Sequence, residues 1–482
     1  TICKRERCVY AFVGLTTEEK SVKLFDSRTD SYPVNVPLSM LFGDLPITDM
    51  TVNSVSTNNI KDSCSTDYSF SETLIKVLQH PTVASKSFLI TIGDRTVGGM
   101  VARDQFVGPY QVPVADYSMS LRSFTSNKGE VLTVGEKPTI AINNPAASMR
   151  MALAEALCNM SGVYIKGLDE VQVSANWMAA TGEEVEDLSL REGVEALSKC
   201  CVDLDVSVPV GKDSLSMRTK WNEGSEELTV KSPLSGIITA MAPVDDVTVS
   251  VTPELKINHD SQLLFVRLND EKRLAGSIFS EVTKSDFSDT PDIDDMSLFK
   301  KMFVSIQDLI SKKMVLALHD ISDGGLIISL LEMAFTKKVG LEILIDSLDE
   351  RNLNENLFAE EIGFVIQVQD ENIDKVIKSL SSNNILVDCI GKVSGSDGFS
   401  ISNSNKELFN ESVTKLEKHW REVSHAIQAS RDNKSIADSE LDLLEDKTHS
   451  GLFAEESFDE KIFETFNIKQ SKPKVAILRE QG

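Results

Sequence analysis

Met314-Val-Leu-Ala-Leu-His-Asp-Ile-Ser-Asp-Gly-Gly-Leu326 is the stretch from which the fold is read. Its first five residues are a short apolar run of strand type, and Leu326 to Phe335 continues as an apolar helix. Between them lie two acids and two glycines. Glycines let a backbone approach a ligand closely, and the free amides of a helix N-terminus favour phosphate oxygens. A carboxylate at that point is placed to hold Mg²⁺ against a phosphate. The competing reading is that Asp320 or Asp323 simply caps the helix. His319, at the end of an apolar strand, reads as a structural histidine.

The surrounding pattern repeats this alternation. Downstream, Gly363 to Val368 and Ile385 to Val393 are strands, and Leu263 to Val266 opens the unit as another. Leu298, Phe299, Met302, Phe303, Ile306 and Ile310 recur at three and four, which marks one helix face. Upstream, Phe88–Ile92, Thr139–Ile142, Val171–Val173 and Ser235–Thr239 read as strands, with a helix near Leu190–Cys201. Asn144-Pro145 is a cap followed by Pro at the first helical position, so a helix is expected over 146–160, with Gly162 closing it. On that helix Glu155 and Asn159 stand at i, i+4 among Ala and Leu, so they share one face. A carboxylate and an amide oxygen one turn apart suit a hard cation, and a solvated polar stripe is the alternative.

At the N-terminal end, Val9–Gly14 and Val22–Phe25 read as strands, and the polar stretch from Thr51 to Thr66 as an exposed connection. The strand-then-glycine layout of Cys8–Gly14 is matched by Leu386–Val393, which hints at an internal repeat. Asn405 to Asn467 reads as polar, acidic and helical. Lys474–Leu478 is a strand with little after it, so the chain is expected to be a piece of a longer protein.

The 482 residues suggest about three globular units at roughly 150 residues each. With 49 Lys+Arg against 74 Asp+Glu, the net charge of −25 argues against nucleic acid or an anionic membrane as main partner. Phosphate, if bound, must be met locally by metal ions or backbone amides. No apolar run approaches the ~20 residues of a membrane span. The seven cysteines form no C-x-x-C pair, which favours reduced thiols over a disulfide or zinc framework.

Three further segments carry polar chemistry. Pro109–Asp116 is extended by its prolines and ends on an acid that can face a cleft. Gly93–Gln105 and Gly211–Ser214 cluster glycine, charge and amide groups as anion-facing loops do. Gly211-Lys-Asp-Ser lacks the glycine spacing of a P-loop. Each also reads as an ordinary surface loop.

Taken together and in order, Gly93-Asp-Arg-Thr-Val through Gln105, Gly108–Asp116, Val173–Ala180, Pro209–Met217 and His319–Gly325 resemble the large, single-chain phosphoribosylformylglycinamidine synthase family. Cys3–Cys8 and Val475–Gly482 are similar to that family as well. The resemblance implies an α/β plus α+β fold, an aminoimidazole-ribonucleotide-synthetase-like N-terminal and C-terminal domain pair. It implies the tail of a preceding synthetase domain over 1–48, the α/β domain over 67–250 and the α+β domain over 258–404. A helical acidic linker over 405–470 and the first strand of a glutaminase domain over 471–482 would follow.

The activity implied is an ATP- and glutamine-dependent carbon–nitrogen ligase of de novo purine biosynthesis in the cytoplasm. It converts formylglycinamide ribonucleotide to the amidine with ammonia from glutamine; this piece alone is not expected to work with glutamine. The alternative is a structural Mg-nucleotide module of that enzyme without turnover. By the resemblance, Asp116, Glu155, Asn159 and Asp320 match the Mg²⁺ ligands of an ATP/ADP site, Ala115 and Ser322 match nucleotide-touching positions, and Lys86 a lysine near it. A catalytic histidine comes from the first copy in the family, so His319 is not assigned as the base. The partners implied are the rest of the polypeptide and, for the isolated domain, a second copy of itself.

Overall fold

The computed structural model describes residues 2–5, 7–43, 52, 62–63, 68–345, 353–404 and 406–455. The connection expected within 51–66 falls mostly outside these residues, and the strand expected at 474–478 falls wholly outside them. The chain divides into two units, Thr1–Val52 and Asn53–Gly482.

The first unit is an antiparallel hairpin of β1 (Ser21–Asp26) and β2 (Ser31–Pro37), with short helices Ile2–Arg5 and Leu38–Phe42. Its turn is fixed by Asp26, whose carboxylate accepts from the Arg28 amide at 2.9 Å. None of its described residues is buried. Val9–Gly14 forms no strand, contrary to the sequence expectation. Among the described residues no strand takes up its backbone bonds, and Val9 and Phe12 are 98% and 95% exposed. The layout shared with Leu386–Val393 is therefore not a shared structure.

The second unit opens with β3 (Val101–Arg103), β4 (Ser118–Ser123), β5 (Ser126–Gly135), β6 (Gln172–Met178), β7 (Ser207–Ser214), β8 (Arg218–Glu223), β9 (Glu226–Lys231) and β10 (Ser235–Val244). Six of these form a sheet in the order β3-β4-β5-β10-β6-β7, antiparallel except for the β6–β7 pair, and β8–β9 is a separate hairpin. Helix Pro145–Met160 packs against β5 and β10, with helix Glu184–Leu204 beside it. Its start is as expected: the Asn144 side chain accepts from the Ala147 amide at 3.0 Å and Pro145 is the first helical residue. Gly135 at the end of β5 lets the strand lie directly on that helix, since a Cβ there would press into Ala152 O and Ala156 N.

Two expected strands are helical turns instead, Ser87–Ile90 and Pro138–Ala141. Apolar runs of four or five residues have no period long enough to tell strand from helix, and Pro138 presets the helical φ at its first position. Gly211–Ser214, expected as an anion-facing loop, belongs to the exposed edge strand β7.

The second sheet contains β11 (Ser261–Arg267), β12 (Ala317–Asp320), β13 (Leu341–Leu344), β14 (Gly363–Gln369), β15 (Leu386–Val393), β16 (Gly398–Asn403) and β17 (Lys406–Ser412), in the order β12-β14-β11-β15-β13-β16-β17. Helix Met296–Ser311 buries the stripe read from sequence, including Phe299, Met302, Phe303, Ile306 and Ile310. The helix bridges to the first domain through Gln307. Its Oε1 accepts from the Ile165 amide at 2.8 Å, and its Nε2 donates to Ser161 O and Val163 O. Arg150 adds a bidentate pair to Asp292 at 2.6 and 2.5 Å.

The segment expected as a helical acidic linker from 405 is part of this domain. β17 closes the sheet on β16, and helix Val413–Arg431 inserts Trp420 into the core, where its Nε1 donates to Val83 O at 2.8 Å. Helix Lys434–Asp442 follows. Among the described residues no helix is long and apolar enough to cross a membrane.

Candidate functional site

The strand β12 ends on His319 and Asp320, and Ser322-Asp323-Gly324 turns the chain into helix Gly325–Phe335. Gly324 and Gly325 sit at φ +88 and +75, and a Cβ on Gly325 would come within 2.6 Å of the Phe358 backbone. That tight turn packs the helix start against the core. The Gly324 amide donates to Glu360 at 2.9 Å and the Gly325 amide to Ser322 O at 3.0 Å. These two amides, expected to face phosphate, are therefore engaged internally.

From the other domain, the extended Pro113–Ala115 segment brings Asp116 against β12, while β5 and helix Pro145–Met160 bring Glu136, Glu155 and Asn159. All seven residues singled out by the resemblance, Lys86, Ala115, Asp116, Glu155, Asn159, Asp320 and Ser322, line one cavity of ≈ 520 Å³. A larger cavity of ≈ 1100 Å³ elsewhere contains none of them.

The cavity opens to solvent, but the acidic side chains on its floor are buried. His319 Nδ1 lies 2.7 Å from Asp116 Oδ1 and 3.7 Å from Asp320 Oδ1, and its Nε2 lies 2.9 Å from Glu332 Oε2. Burial opposes charge on His319, yet Asp116 and Glu332 outweigh it and hold its pKa well above the usual value. Burial raises the Asp116 pKa against the pull of His319. Burial, reinforced by the Asp116 charge, pushes Asp320 up to about 8. Asp116 Oδ2 and Asp320 Oδ2 are both buried with no hydrogen-bond partner. An orphaned carboxylate oxygen in such a place is costly unless something else meets it.

Those two atoms make the donor set fit a hard cation. Ligand atoms of Asp116, His319 and Asp320 lie within 4.8 Å of one another. Asn159 donates its Nδ2 to Val134 O at 2.9 Å, which leaves its carbonyl oxygen as the group to offer. Glu155 is the most constrained of the four expected ligands. Its Oε2 accepts from the Glu136 amide at 2.6 Å and its Oε1 lies 3.0 Å from Lys137 Nζ. Lys86 donates to Thr82 O and Ala84 O at 2.9 and 2.5 Å, and burial lowers its pKa.

Sequence reasoning missed Lys137, Glu332 and Glu360, and weighed Asp323 as a cation-facing acid or a helix cap but not as the partner of a buried lysine. Glu332 and Glu360 had a signal: each is an acid inside an apolar run, where an unpaired charge does not survive. Lys137, between β5 and Pro138, had none.

Two mixed sheets with an acidic cleft between them define an AIR-synthase-type domain pair. The FGAR-AT PurM_N-like domain family matches residues 85–243, and the AIR synthase related protein, C-terminal domain, matches residues 264–402. Over 501 aligned residues the whole chain is 42% identical to phosphoribosylformylglycinamidine synthase of Schizosaccharomyces pombe, and it spans 38% of that relative's length. The chain belongs to the phosphoribosylformylglycinamidine synthase family. Among solved structures, Thermotoga maritima PurL complexed with FGAR aligns with TM-score 0.54 at 9% identity, over 73% of this chain and 54% of that one. The same protein complexed with ATP aligns with TM-score 0.54 at 10% identity, over 73% and 52%. At such identities these two likenesses speak for the fold.

Proposed function

We propose that this chain is part of an ATP- and glutamine-dependent ligase that converts formylglycinamide ribonucleotide to formylglycinamidine ribonucleotide in cytoplasmic purine biosynthesis. The 42% identity to the yeast synthase over the full chain supports the family's reaction. PurL complexes with ATP, ADP and FGAR support nucleotide and substrate as its ligands. In the proposed reaction ATP activates the formamide oxygen and ammonia, released from glutamine by another part of the polypeptide, displaces phosphate.

Within that enzyme, the cavity between the sheets is our candidate Mg²⁺-nucleotide site. Asp116, Glu155, Asn159 and Asp320 would hold Mg²⁺, Ala115 and Ser322 would meet the nucleotide, and Lys86 would stand near its phosphates. Bound there, Mg²⁺ would neutralise polyphosphate charge. That is how a chain of net charge −25 accommodates ATP without a basic patch. The observation that carries the reading is the pair of orphaned oxygens, Asp116 Oδ2 and Asp320 Oδ2, in the cavity the seven residues line. Equilibrium dialysis of ATP with and without Mg²⁺ tests it. Saturable, Mg²⁺-dependent binding that disappears in Asp116→Ala is expected; binding indifferent to Mg²⁺ and to Asp116 would overturn the assignment.

A further inference from the structure

Lys137 is an ammonium group only 3% exposed, at the end of β5, and no cavity-lining role accounts for it. Its Nζ lies 3.0 Å from Glu155 Oε1 and 2.6 Å from Asp323 Oδ1. Glu155 belongs to the first domain; Asp323 sits in the turn that carries Asp320 and Ser322 in the second. Behind that turn, buried Glu360 accepts from the Gly324 and Ile278 amides at 2.9 Å each. The Lys137 backbone is fixed in turn, since its carbonyl accepts from Ser148 Oγ at 2.6 Å on the Glu155 helix.

We infer that Lys137 is a positioning residue for the cation site, locking the Glu155 carboxylate and the Asp320–Asp323 turn in register across the domain boundary. With Oε2 on the Glu136 amide and Oε1 on Lys137, both oxygens of the Glu155 carboxylate are held, which fixes its orientation. The same ammonium ties the opposite wall of the cavity to it. The inference rests on the cation site proposed above.

Mn²⁺ alone, followed by electron paramagnetic resonance, is the probe. Lys137→Met is expected to weaken Mn²⁺ binding about 10- to 100-fold, the usual cost of losing a group that orients a ligand. Lys137→Arg should restore part of the loss. In a Glu155→Gln background the same Lys137→Met change should cost clearly less than it does alone, because one of its two arms acts through Glu155. Should Lys137→Met fail to fold by circular dichroism, Asp323→Asn, at a partly exposed position, puts the question to the other arm of the bridge and should also weaken binding. Native-like Mn²⁺ affinity in Lys137→Met or Asp323→Asn, or additive losses with Glu155→Gln, would overturn the positioning role. Mn²⁺ binding unchanged by Asp116→Ala would overturn the cation site itself and this inference with it.

Discussion

His319 Nδ1 stands 2.7 Å from Asp116 Oδ1, and this contact joins the end of β12 in one domain to the Pro113–Asp116 segment of the other. Lys137 and Asp323 make the second such crossing at 2.6 Å. Two buried side chains, His319 and Lys137, therefore stand against carboxylates from both domains, and the geometry of the cavity depends on the domains staying docked.

His319→Asn would leave the buried Asp116 side chain and the partly buried Glu332 without their shared partner. Removing one partner of a buried pair costs about 3–5 kcal/mol, and urea unfolding below neutral pH should show a loss of that size. Because the folded pKa of His319 is raised above 6.5, its contribution is fully present below that pH and is lost as pH rises through the folded value. The gap between native and variant stability should accordingly narrow on going from acid to alkaline pH.

Asp320 runs in the same direction with pH, although there the favoured protonated form is the neutral one. Its pKa rises from 3.8 to about 8, so the folded state favours the protonated acid, and the cost of ionising it grows across that interval. A divalent cation needs the ionised form and must displace the proton below about pH 8. Thermal melting with and without Mg²⁺ should show the metal's stabilising shift growing from weakly acidic to alkaline pH. Asp320→Asn should flatten that dependence.

Trp420 tests whether the region after 405 is a linker. It is 2% exposed, donates to Val83 O, and stands with its ring 5.4 Å from that of Phe335. Trp420→Ala should cost about 3–5 kcal/mol in denaturant unfolding, the range for a large aromatic removed from a core. A solvated linker helix would lose almost nothing.

The thiols should sort by burial. Burial holds Cys158 well above the ordinary thiol pKa, and pushes Cys200 to about 12 and Cys201 to about 11. Cys8 and Cys389 are exposed. A thiol-specific chromophoric reagent should label Cys8 and Cys389 in the native protein, and Cys158, Cys200 and Cys201 only after unfolding. Mass mapping of the labelled peptides reads this directly.

What the sequence revealed follows the length of its signals. Helix Pro145–Met160 was legible because Asn144-Pro145 caps it, and helix Met296–Ser311 because its apolar stripe runs for four turns. Phe88–Ile92 and Thr139–Ile142 were misread because a single apolar turn and a short strand look alike until a partner strand is known to be missing. The loss of Val9–Gly14 as a strand has the same origin. The cavity-lining residues were legible only as ordered motifs resembling a family; nothing in the local sequence brings Asp116, Glu155 and Asp320 together. The Lys137 bridge was illegible because it exists only once two domains, each carrying half of it, have closed on one another.

The central claim is a cation held between Asp116 and Asp320 beside a nucleotide. Crystals grown with Mn²⁺ and a non-hydrolysable ATP analogue, recorded at the manganese absorption edge, test it most directly. The account predicts an anomalous peak within coordination distance of Asp116 Oδ2 and Asp320 Oδ2, with the analogue's phosphates against it near Ser322. A nucleotide bound instead in the larger cavity, which Lys338 lines, or a cavity between the sheets with no anomalous peak, would contradict it.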